Sequence, residues 1–233
     1  GGHARCLSCR RRGSSGLTSC YRLAAVSGPP VTHQRTTDAS FYAALFVIAV
    51  GVFVLIGWID DIDTLKSVYG PITMKPNAAI AFLLAGTALW ACVRDLRVGI
   101  VLAAAVAVIG GLTLSEHLVG WDLGIDQLLF REAPGAAATA SPNRMGPNAC
   151  ISFVLAGSAL LLLFRGTPRA IALAQRLALV AMAMATFALA GYAYGAVELY
   201  ALARYTGIAL HTAVALVILQ FGILAARADA GPV

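Results

Sequence analysis

Six apolar runs, at residues 41–59, 77–93, 98–119, 148–164, 171–193 and 208–226, constrain this chain more than any other feature. Each approaches or exceeds the roughly 18 residues that carry a helix across a bilayer. Strand is excluded for them, because a lone strand facing lipid leaves its backbone polar groups unpaired. Apolar residues make up 59% of the chain, charged residues 12%, and the mean hydropathy is +0.80. Soluble domains run nearer half apolar and a quarter charged. A secreted disulfide scaffold, a nucleic-acid-binding domain and a cytosolic enzyme are therefore set aside. The expectation is an all-α polytopic membrane protein with six transmembrane helices over residues 41–227, flanked by an arm (1–40) and a short tail (228–233).

The net charge of +6 is unevenly placed. Arg94 and Arg97 bracket one connection, Arg165 and Arg169 another, Arg227 follows the last run, and the arm holds six arginines. The alternate connections carry Asp60, Asp61, Asp63, Asp122, Asp126, Glu132 and Glu198. Basic loops stay cytoplasmic, so both termini are expected inside. The arm is rich in Arg, Ser and Gly and reads as flexible or surface-lying. It lacks the long apolar core of a signal peptide. Cys6 and Cys9 form a lone pair without the further ligands that zinc needs, and no lipid is expected on Cys20. Cys92 and Cys150 lie in apolar runs and read as packing residues.

Short motifs recur along the chain. Met74-Lys75-Pro76-Asn77-Ala78 precedes Phe82-Leu83-Leu84-Ala85-Gly86, and Met145-Gly146-Pro147-Asn148-Ala149 precedes Phe153-Val154-Leu155-Ala156-Gly157 at the same spacing. Upstream, Trp58-x-x-x-Ile62-Asp63 recurs as Trp121-x-x-x-Ile125-Asp126. A weaker third copy has Val197-Glu198-Leu199 before Leu210-His211-Thr212-Ala213. Three hairpins of equal orientation would be related by a pseudo-threefold axis along the membrane normal, the parallel kind of repeat. Pro76 and Pro147 suit a first helical turn, where a missing N–H is harmless. Asn77, Asn148 and His211 then occupy equivalent first-turn positions, as helix-start hydrogen-bonders or ligand contacts. Trp58 and Trp121 read as interface anchors.

This pattern, with Gly120-Trp121-Asp122-Leu123-Gly124-Ile125-Asp126, resembles the six-helix membrane region that precedes PAS, histidine-kinase or GGDEF modules in bacterial sensor histidine kinases and diguanylate cyclases. The likeness covers residues 41–227. Where that family often reads Pro-Asn-Thr-Ala, this chain has Pro76-Asn77-Ala78-Ala79 and Pro147-Asn148-Ala149-Cys150. The resemblance implies an input domain in a bacterial inner membrane.

Glu116-His117 is the most polar pair inside a run, and such groups are functional candidates; hydrogen bonding to the loops is the preferred reading. Asp63, Asp126 and Glu198 could together hold a cation, and three helix starts an anion. The preferred reading is that each acid ties down its own hairpin, through Lys75, Arg144 or Arg204. Gly110-Gly111 reads as close helix packing or a kink. No nucleophile–base pair, phosphate loop or metal cluster stands out. The expectation is a non-catalytic accessory subunit on a sensor-like scaffold, packed against a larger photosynthetic or respiratory complex. The alternative is a stand-alone sensing module passing a helix shift to a separate transmitter, since no output domain is read in the chain. Integral membrane proteins and lipids are the expected partners, with no nucleic acid. No resident cofactor or metal is expected, and pigment only through a larger complex.

Overall fold

The computed structural model describes residues 31–132, 135, 139, 141–196 and 207–227, with side chains from residue 36. Seven helices run through them: α1 (Val31–Ile59), the single turn α2 (Asp63–Lys66), α3 (Pro76–Val93), α4 (Val98–Val119), α5 (Pro147–Arg165), α6 (Pro168–Tyr194) and α7 (Leu210–Ala225). No strand occurs among the described residues. Five helices, α1 from Thr36 onward, α3, α4, α5 and α6, are long and apolar enough to cross a membrane, the character of a helical membrane protein.

Local chemistry sets the helix limits. Pro begins α3, α5 and α6, where its missing N–H costs nothing. Thr167 caps α6 by accepting from the Ala170 amide at 3.3 Å. Gly120, Gly166 and Gly195 end α4, α5 and α6 with φ of 77°, 66° and 67°, a left-handed turn that other residues resist. Two limits differ from the sequence expectation. Helix α1 starts at Val31, so part of the expected arm is helical: no Pro or Gly interrupts residues 31–50, and the helix runs unbroken into the apolar stretch. The sixth apolar run yields a helix of only 16 residues, because Ile208 is not helical and Ala209 is extended.

The long helices form a closed ring. α1 packs on α3, α4 on α5, and α6 on α7, while α3–α4, α5–α6 and α7–α1 contacts join these pairs. α3, α5 and α7 also touch one another and form the centre. Phe82 and Phe153 meet edge to face there at 4.9 Å, and Leu89, Leu160, Leu216 and Leu219 are fully buried beside them. The Ser40 hydroxyl donates to the Gly222 carbonyl at 2.9 Å, tying α1 to α7. Outward faces are apolar instead. Phe46 and Phe53 on α1, Val101 and Val108 on α4, and Val180 and Phe187 on α6 are exposed, whereas α3 and α5 expose no large apolar residue. Arg227 reaches Asp95 at 3.0 Å, so the arginine-rich α3–α4 connection and the end of α7 share one end of the bundle.

Close packing depends on glycines. A Cβ on Gly157 would lie 2.6 Å from the Ala107 amide nitrogen, and one on Gly110 would lie 2.8 Å from the Cys150 carbonyl. Gly111 has only the Val154 methyl at 4.0 Å. The Gly110-Gly111 pair therefore divides into one contact glycine and one free position. Gly110→Ala should force α4 off α5 and cost about 1–3 kcal/mol, whereas Gly111→Ala should be neutral or slightly stabilising. Melting of the two variants in detergent checks this.

Candidate functional site

The acidic loops gather at the other end of the bundle, and there one contact occurs three times. Trp58, at the end of α1, donates its indole N–H to the Met74 carbonyl at 2.9 Å. His117, at the end of α4, meets the Met145 carbonyl at 2.7 Å, and since a carbonyl only accepts, Nε2 carries the proton. Tyr192, at the end of α6, donates to the Ile208 carbonyl at 2.6 Å. Each acceptor lies two residues before the first residue of α3, α5 or α7. A carbonyl left over at a helix entrance is thereby paired instead of being left without a partner. The cysteines Cys92 and Cys150 are buried free thiols, and the Cys150 thiol donates at 3.7 Å to the same Met145 carbonyl that His117 meets.

Two ion-pair groups fill the space between the loops. Lys75, 3% exposed, donates to both Glu132 oxygens at 2.6 and 2.8 Å, to Thr139 at 2.9 Å and to Thr73 at 3.3 Å. Burial pushes the Lys75 amine below the ordinary lysine range, against the opposing pull of Glu132. Glu132 also takes the Asn143 amide at 2.6 Å, and the Asn143 side chain donates to the Phe130 carbonyl at 2.5 Å. In the second group, Arg144 Nε donates to Asp126 at 2.7 Å and lies 3.4 Å from Glu116, with Nη2 3.5 Å from Asp122. Burial works against the Arg144 charge, but the three carboxylates outweigh it and raise its pKa. The buried Glu116 also accepts from the Leu123 amide at 2.9 Å. Asn77 reaches the Ile125 carbonyl at 3.3 Å and Asp126 at 3.4 Å.

Several sequence-predicted residues thus take other parts than expected. Trp58 and Trp121 are not equivalents: the counterpart of Trp58 is His117, while Trp121 is half-exposed and donates to Ser115 at 3.2 Å. Asp63 and Asp126 take separate partners. Asp63 lies exposed beside Lys66 at 3.2 Å, and Asp126 is buried against Arg144. Asp61 takes the same Lys66 amine, and that hydrogen bond holds its carboxyl below the usual range. Lys75 pairs with a loop 57 residues away rather than within its own hairpin, and Asn77 likewise reaches 48 residues onward. Asn148 is half-buried, and its side chain has no partner among the described residues. The His211 ring nitrogens are buried and also lack a hydrogen-bond partner there. Glu198 and Arg204 lie outside the described residues, as do Cys6, Cys9 and Cys20.

Two concavities lie among the described residues at this end. An open cup of about 250 Å³ is walled by Trp121, Asp122, Asp126, Gln127, Ser141 and Arg144. A cavity of about 10 Å³ lies at the meeting of α3, α5 and α7, lined by Thr73, Met74, Lys75 and Ala78, then Met145, Gly146 and Ala149, then Gly207, Ile208, Ala209 and Thr212. Among the described residues no group of three or more His, Cys, Asp or Glu could hold a metal ion. Comparison with protein-family models, curated proteins and solved structures finds no match.

Two measurements probe these ties. Glu132→Gln should leave the Lys75 cation buried without a counter-charge and cost about 3 kcal/mol, with much of that loss recovered in the double variant Glu132→Gln, Lys75→Met. Because burial lowers the folded-state Lys75 pKa, the unfolded chain binds its proton more tightly between the folded value and 10.5. This contribution to stability therefore rises as pH climbs through that window. A melting series at alkaline pH should show the rise, and Lys75→Met should remove it.

Proposed function

We propose that the chain is a six-span bacterial inner-membrane protein built from three helical hairpins about a pseudo-threefold axis, acting as a non-catalytic accessory subunit of a larger membrane complex. Both termini face the cytoplasm in this reading. The repeat is supported by the recurring carbonyl ties and by how the inner helices begin. Lys75, Gly146 and Ala209 precede them with nearly one geometry, φ and ψ of −76° and 149°, −66° and 151°, and −69° and 149°. α7 serves as the sixth span, its 16 residues extended by the apolar Ile208 and Ala209. The arginines at one end of the bundle support the orientation.

One observation carries the accessory role: the large exposed apolar residues of the bundle belong to α1, α4 and α6, with Phe221 the lone contribution from the inner helices. Within the hydrocarbon layer a neighbouring protein would therefore meet these three flanks. In native membranes, photo-crosslinking residues at Phe53, Val108 and Phe187 should give a discrete protein adduct from at least one flank. Lipid adducts from all three would count against the subunit reading. Orientation is tested separately with an impermeant thiol reagent, which should label Ser67→Cys and spare Asp95→Cys in spheroplasts.

The cup beside Arg144 favours a second reading, a sensing module. Its wall joins an aromatic ring, a guanidinium and carboxylates, groups that fix the orientation of a small polar ligand. In that case Trp121→Ala and Asp122→Asn would abolish signalling to a partner transmitter while leaving any stoichiometric complex intact.

A further inference from the structure

The entrances of α3, α5 and α7 differ from ordinary helix starts. The residues before them are Lys75, Gly146 and Ala209, and none supplies a side-chain acceptor to the first-turn amides. Ser, Thr, Asp or Asn normally does so. Three helices of 18, 19 and 16 residues thus present uncapped N-termini to one another. Each such end carries about half a positive charge. All three capping residues line the 10 Å³ cavity.

Among the described residues nothing in the cavity wall answers this charge: no Asp or Glu among them lines it, and the Lys75 amine is already balanced by Glu132. Thr212 also lines it. This residue is 3% exposed, and its hydroxyl makes no hydrogen bond among the described residues. A buried threonine inside a helix usually returns its hydroxyl to a carbonyl four residues back, but the Ile208 carbonyl already accepts from Tyr192. Thr73 accepts from Lys75, which leaves its own O–H proton free to donate. The Thr212 and Thr73 hydroxyls are therefore donors with no acceptor built in among the described residues, while on α5 the Ala149 amide turns back to the Gly146 carbonyl at 3.0 Å.

We propose that this junction binds one monatomic anion of the halide class. The volume is that of a single water-sized guest, too small for phosphate, sulfate or a carboxylate ligand. A neutral water would satisfy the donors but leave the convergent positive potential of three helix ends in a low-dielectric site. An anion does both. It would fasten the inner helices where their parallel dipoles repel most strongly. The site depends on the junction alone and not on which neighbour, if any, the flanks meet.

The test uses the full chain in detergent at constant ionic strength, with chloride exchanged for gluconate. Chloride should raise the melting temperature in a saturable way, and bromide should do the same. Thr212→Val should weaken the half-saturating chloride concentration at least tenfold. Thr186→Val, which removes an exposed hydroxyl on α6 that bonds only the Met182 carbonyl, should leave it unchanged. Crystals of the unmodified protein grown in bromide should show anomalous density between Lys75, Gly146 and Ala209, a result that stands even if the Thr212 variant fails to fold. Equal melting in chloride and gluconate, an unchanged response in Thr212→Val, or density without anomalous signal would each overturn the proposal.

Discussion

A helix that begins inside an apolar bundle leaves the carbonyls just ahead of it exposed to an environment that cannot hydrate them. In water this is trivial; at the edge of a hydrocarbon layer each unpaired group costs several kcal/mol. Here the carbonyls of Met74, Met145 and Ile208 are answered by Trp58, His117 and Tyr192 respectively, each on the outer helix of the same pair. The contact fixes where each inner helix starts, and with it the height of that helix against its neighbours. The ring packing, the meeting of Phe82 with Phe153 and the small cavity at the junction all follow from that register.

Charge is handled by the same economy of partners. Lys75 and Arg144 are both largely withdrawn from solvent, and both are held by carboxylates from the 120–146 connection. Such pairs are weak evidence for net stability, because desolvation offsets much of the attraction. Their geometry gives them another consequence. Lys75 precedes α3 while Glu132 belongs to the connection between α4 and α5, and Asn77 bonds across the same boundary. The outer-helix ties hold each pair of helices together, and these polar contacts hold one pair to the next.

Much of the helical framework was legible in the sequence, since apolar runs, Pro76, Pro147 and the glycines after α4, α5 and α6 act through local chemistry. The site was legible only in part. The motif Trp58-x-x-x-Ile62-Asp63 matches Trp121-x-x-x-Ile125-Asp126 in letters, but α4 ends before Trp121, so the residue at the height of Trp58 is His117. The tie spans 16 residues in the first and third pairs and 28 in the second, which hides the correspondence from any fixed-period comparison. Tyr192 and Tyr194 are indistinguishable on paper. Helix rotation alone turns one towards Ile208 and leaves the other exposed. Glu132 is separated from Lys75 by 57 residues, and no local pattern predicts such a pair.

The central claim is that buried carbonyl ties, rather than surface anchoring, set the height of the inner helices. Hydrogen exchange of the tryptophan indole N–H groups, followed by NMR on the detergent-solubilised chain, tests it most directly. The Trp58 indole donates to a buried carbonyl, whereas that of Trp121 meets only a hydroxyl at the exposed end of α4. The Trp58 signal should persist long after the Trp121 signal has exchanged. Equally fast loss of both, or longer survival of Trp121, would contradict the account.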